Sequence, residues 1–486
     1  MPVQDLQTIV GDQNILDSPE ILEKWSGDQS SVAKIRPRYV VKPRNTAEVQ
    51  QIIKWANETL TSLIPVSSGA PHFRGDTVPS TGGAVIVDLS GMKKIVRIDR
   101  RNRVAMIEPG VTFRDLVPEL EKEGLRLNMP LLPRGSKSVI GSMLEREPVI
   151  MPLFQWDGID PLSCIEVVFG NGDLFRTGSA AGPGSLEDQW RAGQAQVNPM
   201  GPGQTDFARV VQGSQGTIGI VTWATVRCEL MPTLQKPFLV GTEKLETLTD
   251  FIYRLLWLKL GDECLVVNNA TLAAILAQDP KEYERIKAGL PSWLYFFCLS
   301  GYEYFPEERI EYQHEQMLDA AKRAGAEPLG AISGVSAYEL LRKLKQPCDE
   351  PYWKLRQKGN VQDIFFLTTC NEVPRFVKTM HNLAEDFGYS FGDLGVYIQP
   401  MVQGTSCHCE FNLFYDSTNS RETARMQDLY LKAGERLMNE GAFFSRPYGA
   451  LAEMAYQRDA QTTIALRKVK QIFDPNNILN SGKLCF

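Results

Sequence analysis

No run of 18 apolar residues occurs in this 486-residue chain, so a membrane-spanning helix is not expected. The N-terminal stretch MPVQDLQTIVGDQ has no basic segment followed by an apolar one, so we expect a cytoplasmic protein without a leader. No basic patch is present, and the net charge of −6 argues against a nucleic-acid partner. The fingerprint GxGxxG is missing from any strand-helix unit, which leaves a nicotinamide Rossmann site unsupported. Internal repeats and low-complexity segments are absent. The nine cysteines are odd in number and lack scaffold spacing, as expected for reduced thiols. Only four histidines exist, His72, His314, His381 and His408. The tight group Cys407-His408-Cys409 invites a metal reading. On a strand, however, the two thiols share one face and the imidazole takes the other, and no second CxxC or HxxxH stands nearby. No metal is expected.

What is present is a series of small-residue loops between strands. Ile64 to Leu89 reads as a short apolar run, a loop of Ser67, Ser68, Gly69, Ala70, Pro71 and His72 with Gly75 beyond, then a β-branched strand from Ala84. Residues this small let backbone N–H groups close around a phosphate or pyrophosphate, although glycine is also the default at any tight turn. Strand Val104 to Glu108 leads through Pro109-Gly110 to Thr112, which is placed to cap a helix from Phe113 to about Glu123. A second small-residue loop runs from Gly135 to Ser142. The segment IEVVFGNGDLFRTG predicts a hairpin turning at Asn171-Gly172. A third loop sets Gly213, Gly216 and Gly219 before a strand, and FDPNNILNSGKL stands near the end. Asn45 with Glu48 forms a capping-box pattern ahead of a stripe of Val49, Ile52, Ile53 and Ala56.

Composition changes near Pro232. From there to about Gly441 the chain holds two long helical patterns, IEYQHEQMLDAAKRAG and RFVKTMHNLAEDFG, and strands such as LYFFCLSGY, VYIQPMV and CEFNLFYD. This predicts an antiparallel sheet backed by helices, an α+β layer.

The motifs VVKPRNTAEVQQII, SSGAPHFRG, VDLSGMKKI, VAMIEPGVTFRDL, SVIGSMLER, IEVVFGNGDLFRTG, QGSQGTIGIVT and DPNNILNSGKL occur in an order that resembles the flavoprotein family of vanillyl-alcohol oxidase and p-cresol methylhydroxylase. That family also includes D-lactate dehydrogenases and glycolate oxidase subunits. The resemblance implies an α+β protein: a two-subdomain FAD-binding domain over residues 1–231, a cap (substrate) domain with an antiparallel sheet over 232–440, and a return to the FAD domain over 441–486. The implied cofactor is FAD. Ser67 to His72 would hold the pyrophosphate, with Ser138, Gly141 and Ser142 lining the other side. Gly219, Ile220 and Val221 would meet the adenosine part, and Pro133 and Lys483 complete the set. Gly395 stands where one branch carries its flavin-linking residue, and His72 lies one position past the linking histidine of another. Non-covalent FAD is therefore expected.

The resemblance also implies candidates for catalysis. Asp157 stands nine residues before Glu166, the spacing of an active-site acid in the vanillyl-alcohol branch, and Asp160 stands six before it. Phenol-oxidising relatives hold a phenolate with two tyrosines and an arginine. Here Arg74 and Ser445 occupy the tyrosine positions and Arg446 the arginine position. Arg74 and Arg446 could clamp a carboxylate, with Tyr448 or Tyr397 giving a hydroxyl, or Arg74 could pair with the FAD phosphates or a surface acid. Of the metal-binding signature of the hydroxy-acid branch, His408 and Glu410 remain and the second element is lost.

The expected function is an FAD-dependent oxidoreductase that dehydrogenates a small organic anion of phenolic, benzylic or aromatic-acid type, passing a hydride to flavin N5. The alternatives are a D-2-hydroxy-acid dehydrogenase and an electron-relay flavin subunit of a larger complex. Candidate partners are the small-molecule substrate and an electron-acceptor protein, and a homo-oligomer is expected.

Overall fold

The computed structural model describes residues 2–152, 161–201, 203, 206–401 and 404–486. Asp157 and Asp160 lie outside them.

Three sheets organise the chain. The first has four strands in the order Ile15–Leu16, Tyr39–Val41, Val85–Asp88, Leu63–Val66. Its two pairings through Val85–Asp88 are parallel, as β-branched, doubly buried strands favour, and the edge strand Ile15–Leu16 pairs antiparallel with Tyr39–Val41. Helix Thr46–Thr59 covers it with Val49, Ile52, Ile53 and Ala56, the stripe seen in the sequence. Asn45 caps this helix by accepting from the Glu48 amide at 3.0 Å. The return bond lands one residue earlier than a capping box requires, because the Glu48 carboxylate accepts from the Arg44 amide at 2.8 Å and also holds the Arg44 guanidinium.

The second sheet is antiparallel: Ile95–Asp99, Val104–Ile107, Gly219–Leu230, Leu162–Phe169 and Leu174–Arg176, with Leu125–Leu127 beside the far end of the long central strand. Helix Phe113–Lys122 starts with a full capping box between Thr112 and Asp115 and buries Phe113, Leu116, Val117 and Leu120 on this sheet. In the hairpin only Gly172 takes a positive φ, of 90°. Asn171 contributes its side chain instead, accepting from the Asp173 amide at 2.9 Å. The expected loop of residues 135–142 ends sooner than predicted. Ser138 accepts from the Gly141 amide at 2.9 Å and caps a short helix, Val139–Leu144, which contains Gly141 and Ser142.

Between Leu230 and Leu234 the chain crosses into a six-stranded antiparallel sheet, in the order Leu234–Thr242, Trp293–Gly301, Cys264–Asn268, Leu394–Met401, Ser406–Tyr415, Asn360–Thr368. Helices Glu246–Trp257, Pro306–Ala324, Val373–Asp386 and Ser420–Asn439 pack on one face of it. The opposite face carries shorter helices and meets Leu131, Leu132 and Ile150 of the preceding region. Cys407 and Cys409 project into the four-helix face, whereas His408 projects the other way.

After helices Gly449–Tyr456 and Ala460–Phe473 the chain returns to the first sheet, where Leu63 donates to Ile478 at 2.7 Å and Asn480 donates to Leu63 at 2.8 Å. Asp474 anchors this return. Its buried carboxylate accepts from Lys470 at 2.6 Å and from the Ile478 and Leu479 amides at 3.0 and 2.8 Å. A Cβ on Gly170 would come within 2.4 Å of Asp474, so the hairpin and the C-terminal motif fit only with glycine there. Among the described residues no helix is long and apolar enough to cross a membrane.

Candidate active site

The three small-residue segments converge on one cleft between the sheets. Its volume is about 1670 Å³ counting the part open to solvent. Ser67, Ser68, His72, Pro133, Gly141, Gly219, Ile220 and Val221 line it. Gly69, Ala70, Pro71, Ser138 and Ser142 are not among its lining residues: Ala70 is exposed, Ser138 and Ser142 are buried behind the surface, and Gly69 and Ser138 tie the segments to each other. Gly69 donates to the Ser136 carbonyl at 2.9 Å, Arg134 donates to the Gly69 carbonyl at 2.8 Å, and the Ser138 amide donates to Ser68 Oγ at 3.1 Å. A Cβ on Gly141 would stand 3.2 Å from Ser67 Oγ, so glycine keeps the gap between the two segments open. The His72 amide has no acceptor among the described residues, and Arg134 and Lys137 bring positive charge to the same wall. These features suit a phosphate-bearing ligand. Lys483 lines an adjoining cavity with Arg74, Asp76 and Gln215.

One wall of the cleft is ionic. Arg74 binds Glu145 through Nη1 and Glu147 at 3.1 Å through Nη2, while Lys137 reaches the same carboxylates at 2.9 and 2.8 Å. Ser142 donates to Glu147 at 2.7 Å. Burial opposes ionisation of Glu147, yet the Lys137 and Arg74 charges hold its carboxyl far below the usual range. Arg446 differs. It is buried, donates to the Glu145 carbonyl at 3.2 Å, lies 4.6 Å from the centre of the Phe365 ring, and meets no carboxylate within 4.0 Å among the described residues. Burial and then the neighbouring Arg74 charge pull its pKa down.

The cap sheet supplies the facing wall. Lys354 donates to Glu410 at 2.5 Å and to Asp363 at 2.7 Å, and Asn412 donates to the same two carboxylates at 2.7 and 2.8 Å. His408 Nε2 lies 3.1 Å from Glu410, whereas its buried Nδ1 has no partner among the described residues. Burial alone would raise the Glu410 carboxyl. The Lys354 ammonium and the His408 hydrogen bond instead hold it well below the ordinary value. Tyr397 donates to Gln399 at 2.8 Å, and burial pushes up the phenols of Tyr397, Tyr352 and Tyr448 so that they remain protonated donors.

Residues 37–178 match the FAD binding domain family, and residues 448–484 match the C-terminal domain of FAD linked oxidases. The chain is 24% identical to the glycolate oxidase subunit GlcD of Bacillus subtilis over 99% of its own length and 96% of that protein. It is 22% identical to the 4-cresol dehydrogenase [hydroxylating] flavoprotein subunit of Pseudomonas putida, over 99% and 94%. The chain is an FAD-linked oxidoreductase. Its fold matches that of p-cresol methylhydroxylase with substrate bound, at a TM-score of 0.83 and 21% identity, covering 99% of this chain and 95% of the other.

With FAD as the cofactor, the residues singled out in the sequence fall into three groups. Arg74, Tyr397, Glu410, Arg446 and Tyr448 of this oxidoreductase all line the cleft. Asp157 and Asp160 fall outside the described residues. Ser445 turns its carbonyl to Arg146 at 2.9 Å, and a Cβ at Gly395 would already stand 3.0 Å from Thr271 Oγ1. His72 stacks 6.1 Å from Trp25, and its pKa falls to about 4, through burial first and then the Arg134 charge. Sequence reasoning missed Lys137, Glu145, Glu147, Lys354 and Asp363. The one available signal was the pair of glutamates in SVIGSMLERE, ionic residues closing an otherwise apolar helix.

Proposed function

We propose that this FAD-linked oxidoreductase dehydrogenates a small organic anion of phenolic, benzylic or aromatic-acid type, with Arg446 binding the anionic group. The carrying observation is the charge state of the cleft. Arg74 is neutralised by two glutamates, whereas Arg446 is a buried guanidinium with no carboxylate within 4.0 Å among the described residues. Leaving an ion unpaired in such a place is costly, and an incoming carboxylate or phenolate relieves that cost. FAD, when bound, accepts the hydride equivalent that leaves the substrate carbon.

The chain's own residues hold and orient the substrate. Arg446 offers a planar fork for two hydrogen bonds. Tyr448, whose hydroxyl is 3.5 Å from Arg74 Nη1, adds a neutral donor beside it. Phe73, Tyr352 and Tyr448 present ring faces and edges to an aryl group along the same cleft. Neither Gly395 nor His72 is read as a flavin attachment point, so FAD is taken to be non-covalent. Residues 1–231 with 441–486 are read as the FAD part and 232–440 as the cap.

A second reading, oxidation of a D-2-hydroxy acid, is favoured by one specific feature. Glu410 lines the cleft with an imidazole at 3.1 Å whose second nitrogen has no partner among the described residues. Of that pair the imidazole, kept neutral by burial, is the group able to take up a hydroxyl proton, because Lys354 holds Glu410 ionised and weakly basic. An electron-acceptor protein and self-association belong to either reading.

Anaerobic bleaching of the flavin by a panel of phenols, aryl acids and 2-hydroxy acids tests the proposal. Reduction by aryl anions, lost in Arg446→Ala, supports it. Reduction by aliphatic hydroxy acids alone favours the second reading, and reduction only through a partner protein favours an electron relay.

A further inference from the structure

Behind Arg446 and Tyr448 lies a second chamber of about 870 Å³, counting the part open to solvent. Phe73, Arg74, Val361, Asp363, Arg446 and Tyr448 line both it and the main cleft, so the two spaces share one wall of side chains. Its floor is apolar, built by Phe365, Tyr430, Phe444 and Leu451, all buried. Ser31, Gly449 and Ala450 form an exposed mouth.

The floor is fixed by packing between two helices. A Cβ on Gly434, in helix Ser420–Asn439, would come within 2.2 Å of Leu451, in helix Gly449–Tyr456, so these helices touch where the chamber ends. Most of the charge bordering the chamber is already matched. Asp363 is held by Lys354 and Asn412, and Arg74 by Glu145 and Glu147. Arg446 alone, at the junction, keeps its charge without a carboxylate partner among the described residues. A cation with no carboxylate in contact, at one end of a solvent-reaching space whose floor is apolar and whose rim is polar, is complementary to an amphipathic acid.

We infer that the chamber receives the apolar tail of the substrate, a carboxylate whose charged group binds Arg446, whose oxidised carbon faces the main cleft, and whose substituent extends toward Ser31 and Ala450. This rests on the anion reading given above and narrows it to acids larger than a two- or three-carbon hydroxy acid, which would leave the chamber unfilled. Affinity should grow as the tail lengthens. Burying one methylene contributes roughly fourfold, about 0.8 kcal/mol, until the mouth is reached.

The test is calorimetric titration of the FAD-loaded enzyme with benzoate, phenylacetate and longer ω-phenylalkanoates. The parent enzyme should bind the long acids at least tenfold more tightly than benzoate. Ala450→Trp and Ser31→Trp, each placing an indole at one lip of the mouth, should cut that ratio by tenfold or more. Affinity independent of tail length overturns the inference, and so does a length dependence that survives both tryptophan variants. Arg446→Ala separates this from the anion reading. If all the acids weaken together, the head-group assignment stands. If none weakens, that assignment fails, and the length dependence still judges the chamber.

Discussion

Arg74 and Arg446 lie against the same ring, that of Phe365, at 5.1 and 4.6 Å from its centre. Two guanidinium groups against one aromatic ring repel each other, and the protein resolves this asymmetrically. Glu145 gives its carboxylate to Arg74 and only its backbone carbonyl to Arg446. One arginine thereby becomes part of the framework, and the other retains a charge that a ligand can answer.

The C-terminal return should depend on Asp474. Its carboxylate is fully buried and holds an ammonium and two amides, so Asp474→Ala leaves the Ile478 and Leu479 amides without that acceptor and the Lys470 ammonium, still bonded to the Thr217 and Leu479 carbonyls, without its counter-charge. Removing one partner of a buried ion pair costs roughly 3–5 kcal/mol. Urea unfolding followed by tryptophan fluorescence should show a loss of that size.

The pH dependence of stability should tilt in opposite directions in two variants. His72 has its pKa lowered to about 4, so the unfolded chain binds the extra proton between about 4 and the ordinary 6.5, and this term gains stability as pH rises through that window. Asp76 is raised to about 6 by burial first and the Glu145 charge second, so the folded chain binds the extra proton between 3.8 and about 6, and this term loses stability as pH rises. The two terms oppose each other in the parent. Relative to the parent, Asp76→Asn should therefore make stability rise more steeply from pH 4 to 6 and His72→Gln less steeply, as measured by denaturant midpoints across that range.

Lys354 separates two carboxylates that would otherwise confront each other. In Lys354→Met, Glu410 and Asp363 remain close in a buried place, and one must take up a proton to coexist with the other. The folded-state pKa of that pair then rises above its unfolded value. Stability of the variant should fall relative to the parent as pH climbs from 4 to 8, and a constant difference across that range would contradict the assignment.

Flavin attachment makes a simple prediction. Acid precipitation should release yellow FAD into the supernatant and leave a colourless pellet. Colour retained by the pellet in the parent but released from His72→Ala would reveal a bond to that imidazole.

That these segments meet at one cleft was legible because their pattern is local: Ser67, Ser68, His72, Gly141 and Gly219 to Val221, which line it, belong to short stretches of small or β-branched residues in a fixed order. The DPNN motif was legible as a unit, although the role of Asp474 as its anchor needed the three bonds it accepts. The ionic framework was not legible. Arg74 is 71 residues from Glu145 and 73 from Glu147, and Lys354 is 56 from Glu410. No periodicity links such residues, so a lone arginine in a loop could equally have met phosphate, substrate or acid. The cap was read as a sheet backed by helices, and its second covered face came from contacts with Leu131 and Ile150, which lie far outside the segment that looked self-contained.

The most direct test of this account is anaerobic titration of the flavin in the parent enzyme, Arg446→Ala and Arg446→Lys with an aryl carboxylate or phenol that bleaches the parent. A charge-assisted contact contributes roughly 1.5–3 kcal/mol, so alanine should weaken substrate binding about ten- to a hundredfold while FAD stays bound. Lysine should recover only part, because it keeps the charge without the fork. Equal bleaching of all three at equal substrate concentrations would contradict the assignment of Arg446 as the anion-binding group.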